Sequence, residues 1–246
     1  MPGLPESPIP LQPDVSAEAV PAAVQRWRLV VARSADAPPL AQRESADAWL
    51  EAMEATGLPL YRTAAGTRPK IAFGAPLAMG MAAEAELLDL VLTERWPIWR
   101  VRGALVDGLP MGWHLVDLYD VWLAGPPLPG RVAAAEYRID LGTALDDAAR
   151  TGLATAVDVF LASKRSMRER VKGGATVAYD LRPLVLDVRV GGEPPRTEVW
   201  TRTRFHPELG TGRPEEAIAA LGDLLGQPLA IESIVRERVV LGDELD

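Results

Sequence analysis

A chain of 246 residues, 48% of them apolar and with a formal net charge of −8, is long enough for one large or two small domains and rich enough in hydrophobes for a true core. The absence of cysteine excludes disulfides, thiolate zinc sites, a cysteine nucleophile and cysteine-held iron–sulfur clusters, and His114 and His206 alone cannot make a nitrogen-rich metal site. No apolar run approaches the roughly 20 residues that span a bilayer. The start MPGLPESPIPLQPDVSAEAV has neither the basic nor the apolar region of a signal peptide, so a cytoplasmic protein with no cofactor, metal or membrane partner is expected.

Residues 1–24 carry repeated proline among Ser, Ala and acids without any sustained period, and read as a disordered tail. RWRLVVAR then alternates Trp27, Leu29 and Val31 against Arg28 and Val30, the period of a strand. ESADAWLEAMEATG places Ala46, Trp49, Leu50 and Met53 at helical spacing and stops at Gly57. KIAFGAPL and AELLDLVLT are two strands, the second with Leu88, Leu90 and Leu92 on one face and Asp89 on the other. Pro97 opens a short helix carrying Ile98, Val101 and Leu105, and WHLVDLYDVWL is a further strand.

The proline- and glycine-rich AGPPLPGR, residues 124–131, reads as a linker. Beyond it the same order returns. AEYRIDL is a strand, ALDDAARTGLATAVDVFLAS a helix, TVAYDLRPLVLDVRV and TEVWTRTRF are strands, RPEEAIAALGDLLG is a helix and AIESIVRERVV a last strand. The expected fold class is α+β: two tandem ferredoxin-like βαββαβ repeats at 25–124 and 132–246, joined by 125–131.

Basic residues are nearly all arginine, with lysine only at Lys70, Lys164 and Lys172. Three Arg-Pro pairs begin at Arg68, Arg182 and Arg213, where proline biases each arginine toward an extended backbone and gives its guanidinium a fixed direction. Such forks suit the paired oxygens of a phosphate or carboxylate, and equally an internal acid such as Asp180 or Asp187. Residues 164–174, KRSMRERVKGG, concentrate Lys164, Arg165, Arg168, Arg170 and Lys172 against Glu169, which reads as a local anion-attracting field or as a solvated helix extension. YRID at 137–140 superficially resembles the Arg-Thr-Asp of pseudouridine synthases but lacks the surrounding pattern, and no catalytic constellation is visible. The adjacent Asp146 and Asp147 fit a helix N-terminus.

YRTAAGTRPKIAF followed by GAPLAMG, then YDLRPLVL and GTGRPEEAIAAL, together resemble a bacterial family known as radical-SAM-linked proteins. The matching positions include Tyr61, Arg68, Pro69, Lys70, Ile71, Phe73, Pro76, Leu77 and Gly80, then Asp180 to Pro183 and Gly210 to Glu216. The chain departs from the pattern at Ala41, Gln42, Arg43 and Glu44, where the family usually has Ser-His-Leu-Asp, and at Ala65 to Thr67. The resemblance implies a radical SAM protein as partner. With the basic segment, it leads to the expectation of a non-catalytic, substrate-presenting subunit binding RNA or another phosphate-bearing molecule. Two alternatives stand beside it: an RNA-modifying or RNA-cleaving enzyme, and a structural interaction domain without ligand. Arg68, Lys70 and Arg182 are expected to line one cleft between the repeats, with Arg213 and the 164–172 cations as further contacts.

Overall fold

The computed structural model describes residues 21–63, 68–142, 144–172, 174–193 and 195–245; the tail expected at the N-terminus lies outside them up to residue 20, as do Ala65 to Thr67. The first half runs β1 (Gln25–Arg33), α1 (Gln42–Ala55), β2 (Ile71–Phe73), β3 (Ala82–Leu92), α2 (Ile98–Val106) and β4 (Trp113–Val121). The second runs β5 (Val132–Asp140), α3 (Asp147–Ala162), the hairpin β6 (Met167–Lys172) and β7 (Ala175–Asp180), β8 (Val185–Gly191), β9 (Glu198–His206), β10 (Gly210–Thr211), α4 (Pro214–Leu225) and β11 (Ser233–Leu241).

The alternation read in the first strand becomes burial. Trp27, Leu29 and Val31 meet Leu88, Leu90 and Leu92 of β3 under Trp49 and Met53 of α1 and Val101 and Leu105 of α2. In the second half Ile139, Val188 and Val199 pack beneath Leu153, Val157 and Phe160 of α3 and Ile218 and Leu221 of α4. Helix α3 is capped by Asp146, whose carboxylate accepts from the Ala149 N–H, and α4 begins at Pro214 and ends at Gly226 with φ +70°.

Neighbouring strands lie in the order β4-β1-β3-β2 in the first half and β11-β5-β9-β8 in the second, all antiparallel. A short parallel contact, Val235 and Arg236 of β11 against Ala82 and Ala83 of β3, joins the halves into one large, mostly antiparallel sheet. Register puts Ile139, Tyr137 and Arg236 on one face of this sheet with Ala83, Arg33 and Val31, so both helical layers cover the same side. On the opposite side Asp89 is buried, held by Arg28 at 2.7 Å and Arg26 at 3.1 Å, while Arg26 donates onward to the carbonyls of Gly125 and Pro126. The stretch read as a linker thus crosses that face, and its Leu128 is fully buried against Leu87, Val239 and Leu241.

Three local expectations change. The strand expected over KIAFGAPL ends at Phe73: the Gly74 N–H still donates to Leu87 O at 2.8 Å, and the chain bends at Gly74 and Ala75. TVAYDLRPLVLDVRV is broken at Leu181, and Arg182–Leu184 forms a 3-10 turn between β7 and β8, so Arg182 does not sit on an extended run. The basic segment is a strand of a hairpin, not a continuation of α3, since α3 ends at Ser163 with extended backbone.

Candidate functional site: an apolar chamber beside helix α1

The first half encloses a chamber of about 390 Å³ between α1, the 71–80 stretch and the loop before β4. Its aromatic wall is Trp49 with Phe73 and Trp113 set edge-on to it, ring centroids 6.2 and 5.2 Å away. Leu40, Ala46, Pro76, Leu77 and Met111 complete much of the remaining surface, and Gln42 and Ser45 bring polar groups from the first turns of α1. That makes a concave, mainly apolar site with a few polar groups, the usual character of a small-molecule pocket.

Two buried arginines fasten the loops that form it. Arg33, at the end of β1, donates to the carbonyls of Met81 at 2.8 Å, Ala37 at 3.1 Å and Pro38 at 2.7 Å. Arg236 of β11 donates to Pro76 O at 2.8 Å and Ala75 O at 3.4 Å, and from Nε to Glu86 Oε1 at 2.5 Å, its Nη2 also reaching Glu86 Oε2. The Glu86 carboxylate, itself part of the chamber wall, keeps the Arg236 guanidinium above its ordinary pKa against the opposing effect of burial. Burial alone draws Arg33 below its ordinary value. Ser34 N–H to Gly112 O, 2.9 Å, ties the loop before β4 to the end of β1.

The residues expected from sequence scatter. Arg68 is exposed and pairs with Asp47 at 3.3 Å on the outer side of α1; Lys70 is exposed, and among the described residues only its backbone is engaged, donating to Tyr61 O. Arg182 is committed internally: Nε and Nη2 donate to Leu161 O at the end of α3, Nη1 donates to Val185 O at 2.6 Å, and the guanidinium lies over Phe160. Nor do these three share a cleft, because β9, β5, β11 and β3 lie between β8 and β2 along the hydrogen-bonded path of the sheet. Asp180, offered as an acid for Arg182, instead accepts the Ser166 and Arg182 backbone N–H groups, and Asp187 pairs with Arg189.

Three other cations do meet. Arg168 of β6 pairs with Asp223 and with Glu216 at 3.6 Å, Arg170 lies over the Tyr179 ring at 4.8 Å, and exposed Arg213 precedes the first turn of α4. All three act on Tyr179, whose hydroxyl nevertheless stays above its ordinary pKa through burial and Glu216. Gly210 has φ +93°, and a Cβ there would lie 3.3 Å from Arg170 Nη2. Lys164 and Arg165 are exposed beside this cluster in sequence, and of Lys172 the backbone on β6 is described.

Arg138 pairs with Glu84 and Glu237, and Asp140 accepts the Gly142 N–H, so YRID is scaffold. His206 Nδ1 accepts from the Glu208 and Leu209 N–H groups, His114 is exposed, and no metal-holding cluster of His, Asp or Glu occurs among the described residues. No helix among them is long and apolar enough to cross a membrane. The chamber itself escaped sequence reading, except that Phe73, Pro76, Leu77 and Gly80 of its wall belong to the stretch whose motif was noted, and Gln42 to the departing tetrapeptide.

No curated protein matches the chain in sequence. Among solved structures, it is similar to a chain of "Crystal Structure of a Cbf5-Nop10-Gar1 Complex", with 11% identity and a TM-score of 0.45 over 86% of this chain and 49% of that one. It is also similar to a chain of "Crystal structure of the archaeal box H/ACA sRNP Nop10-Cbf5 complex", with 13% identity and a TM-score of 0.40 over 86% and 48%. The chain spans about half the length of both. The family model described as "Uncharacterized protein conserved in bacteria (DUF2344)" matches residues 26–212, a span that holds every residue lining the chamber, and the chain belongs to that family.

Proposed function

We propose that the protein is built of two tandem ferredoxin-like repeats and works in the cytoplasm as a non-catalytic, substrate-holding subunit beside a radical SAM enzyme. The strand orders of the two halves, identical once the separate β6–β7 hairpin and the two-residue β10 are set aside, support the repeat reading. The chamber is the observation that carries the functional reading: part of its wall, between Phe73 and Gly80, belongs to a stretch that resembles radical-SAM-linked proteins. Its wall has two ionisable side chains, Arg33 and Glu86, and Glu86 is already held by Arg236, which favours holding a molecule over proton transfer to it. The partner comes from the resemblance. Co-expression of the tagged chain with the radical SAM protein encoded nearest to it tests this: a stoichiometric complex surviving gel filtration is expected, and separate elution would contradict it.

RNA is the second reading, favoured by the gathering of Arg168, Arg170 and Arg213 about Tyr179. Affinity for single-stranded RNA should then fall with salt at a slope of about −0.7 per phosphate contact, and Arg213→Ala should make that slope shallower. A slope unchanged by Arg213→Ala would remove this surface from consideration.

A further inference from the structure

We propose that the chamber takes a small amphipathic carboxylate, its anionic end at Arg33 and its apolar body along Trp49, Phe73 and Trp113. This rests on the substrate-holding reading and names the class of molecule held. Arg33 is 7% exposed and lines the chamber. Among the described residues the other buried arginines, Arg26, Arg28 and Arg236, each pair with a carboxylate, whereas Arg33 meets three main-chain carbonyls and no acid. Carbonyl dipoles soften a buried charge without neutralising it, and an unpaired ion withdrawn from water is costly. The fold keeps such a group where a ligand can reach it.

Charge and shape then narrow the ligand. The wall carries one guanidinium, Arg33, and one carboxylate, Glu86, and Arg236 behind the wall engages both oxygens of that carboxylate. One positive charge is left over. That matches a carboxylate better than a phosphomonoester, which carries about −1.5 to −2 at neutral pH. Apart from Gln42 and Ser45 the remaining surface is aromatic, aliphatic, glycine or proline, so the body of the ligand is mainly hydrocarbon or aromatic.

The test is calorimetric titration of the full-length protein with decanoate, decyl phosphate, 1-decanol and decylammonium. Decanoate should bind at least about tenfold more tightly than 1-decanol, the worth of one charge-assisted hydrogen-bonded contact, and more tightly than decyl phosphate, with decylammonium weakest. Arg33→Met should abolish the preference for decanoate over 1-decanol and leave 1-decanol binding in place. Should that variant not fold, the order of the four probes on the wild type decides. Equal affinity for decanoate and 1-decanol, both lost in Ala46→Phe, which fills the chamber from α1, would overturn the carboxylate while leaving the chamber as a binding site. Binding of both that Ala46→Phe leaves unchanged, or binding of neither, would overturn the chamber reading as well.

Discussion

Arg236 on β11 and Glu86 on β3, 150 residues apart in the chain, form a buried pair at the seam where the two halves of the sheet meet. The same guanidinium holds the carbonyls of Ala75 and Pro76, so one side chain ties the second half of the chain to the loop that walls the chamber.

Breaking this pair should therefore be expensive. Arg236→Met leaves Glu86 buried without its partner and two carbonyls without donors, and a loss of about 3–5 kcal/mol is expected in denaturant unfolding. Replacing both members, as Arg236→Met with Glu86→Leu, should restore much of it, since the uncompensated charge is then gone. A single variant as stable as the wild type would show that the pair does not hold the seam.

Arg182 and Lys70, both candidates for anion binding by sequence, should separate in behaviour. Arg182→Ala removes donors from Leu161 O and Val185 O, and a loss of about 1–3 kcal/mol follows from carbonyls left unsatisfied. Lys70→Ala should change stability by no more than about 0.5 kcal/mol, because that side chain is exposed and has no partner among the described residues. Thermal melts of the two variants side by side check the contrast.

The turn from β10 into α4 has no room for a side chain at Gly212. A Cβ there would sit 2.4 Å from the Leu184 carbonyl oxygen and 3.0 Å from Thr203 Cβ, and the first of these is backbone that cannot swing aside. Gly212→Ala should cost about 1–3 kcal/mol, measured by chemical unfolding.

Acid sensitivity should concentrate at Glu136. Its carboxyl is held below its ordinary value of 4.5 by hydrogen bonding to Arg238, assisted by Arg202 and opposed by burial. A carboxylate depressed in the folded state stabilises the fold above its unfolded pKa and loses that contribution as pH falls through the folded one. Melting temperature should thus decline below about pH 4.5, and Glu136→Gln should flatten that decline while lowering stability at neutral pH. An identical acid limb in both proteins would place the sensitivity elsewhere.

Much of the fold was legible because its strands bury one face under helices: Trp27, Leu29 and Val31, or Leu88, Leu90 and Leu92, announce a period of two. Within the β6–β7 hairpin only β6 escapes the sequence, because its alternation sets Met167, Glu169 and Val171 against Arg168, Arg170 and Lys172, with no purely apolar side to betray it. The pair of glycines before Ala175, between two runs of strand-forming residues, was the available signal. Burial of Arg28, Asp89, Glu86 and Arg236 could not be read, since it depends on the covering loop at 125–131 and on a parallel contact of two residues. The chamber is likewise assembled from segments spread between Val31 and Pro129, of which a motif marks one; Arg68 and Lys70 of that motif are exposed, and its Phe73, Pro76 and Leu77 line the wall.

The most direct measurement is an amide chemical-shift map of the ¹⁵N-labelled protein titrated with decanoate. The account predicts saturable shifts concentrated in the first half of α1, in residues 71–80 and in 111–113, with the Arg33 side-chain Nε–H resonance moving in step. Shifts centred instead on the exposed Trp99 and Trp122, or none at saturating decanoate, would contradict it.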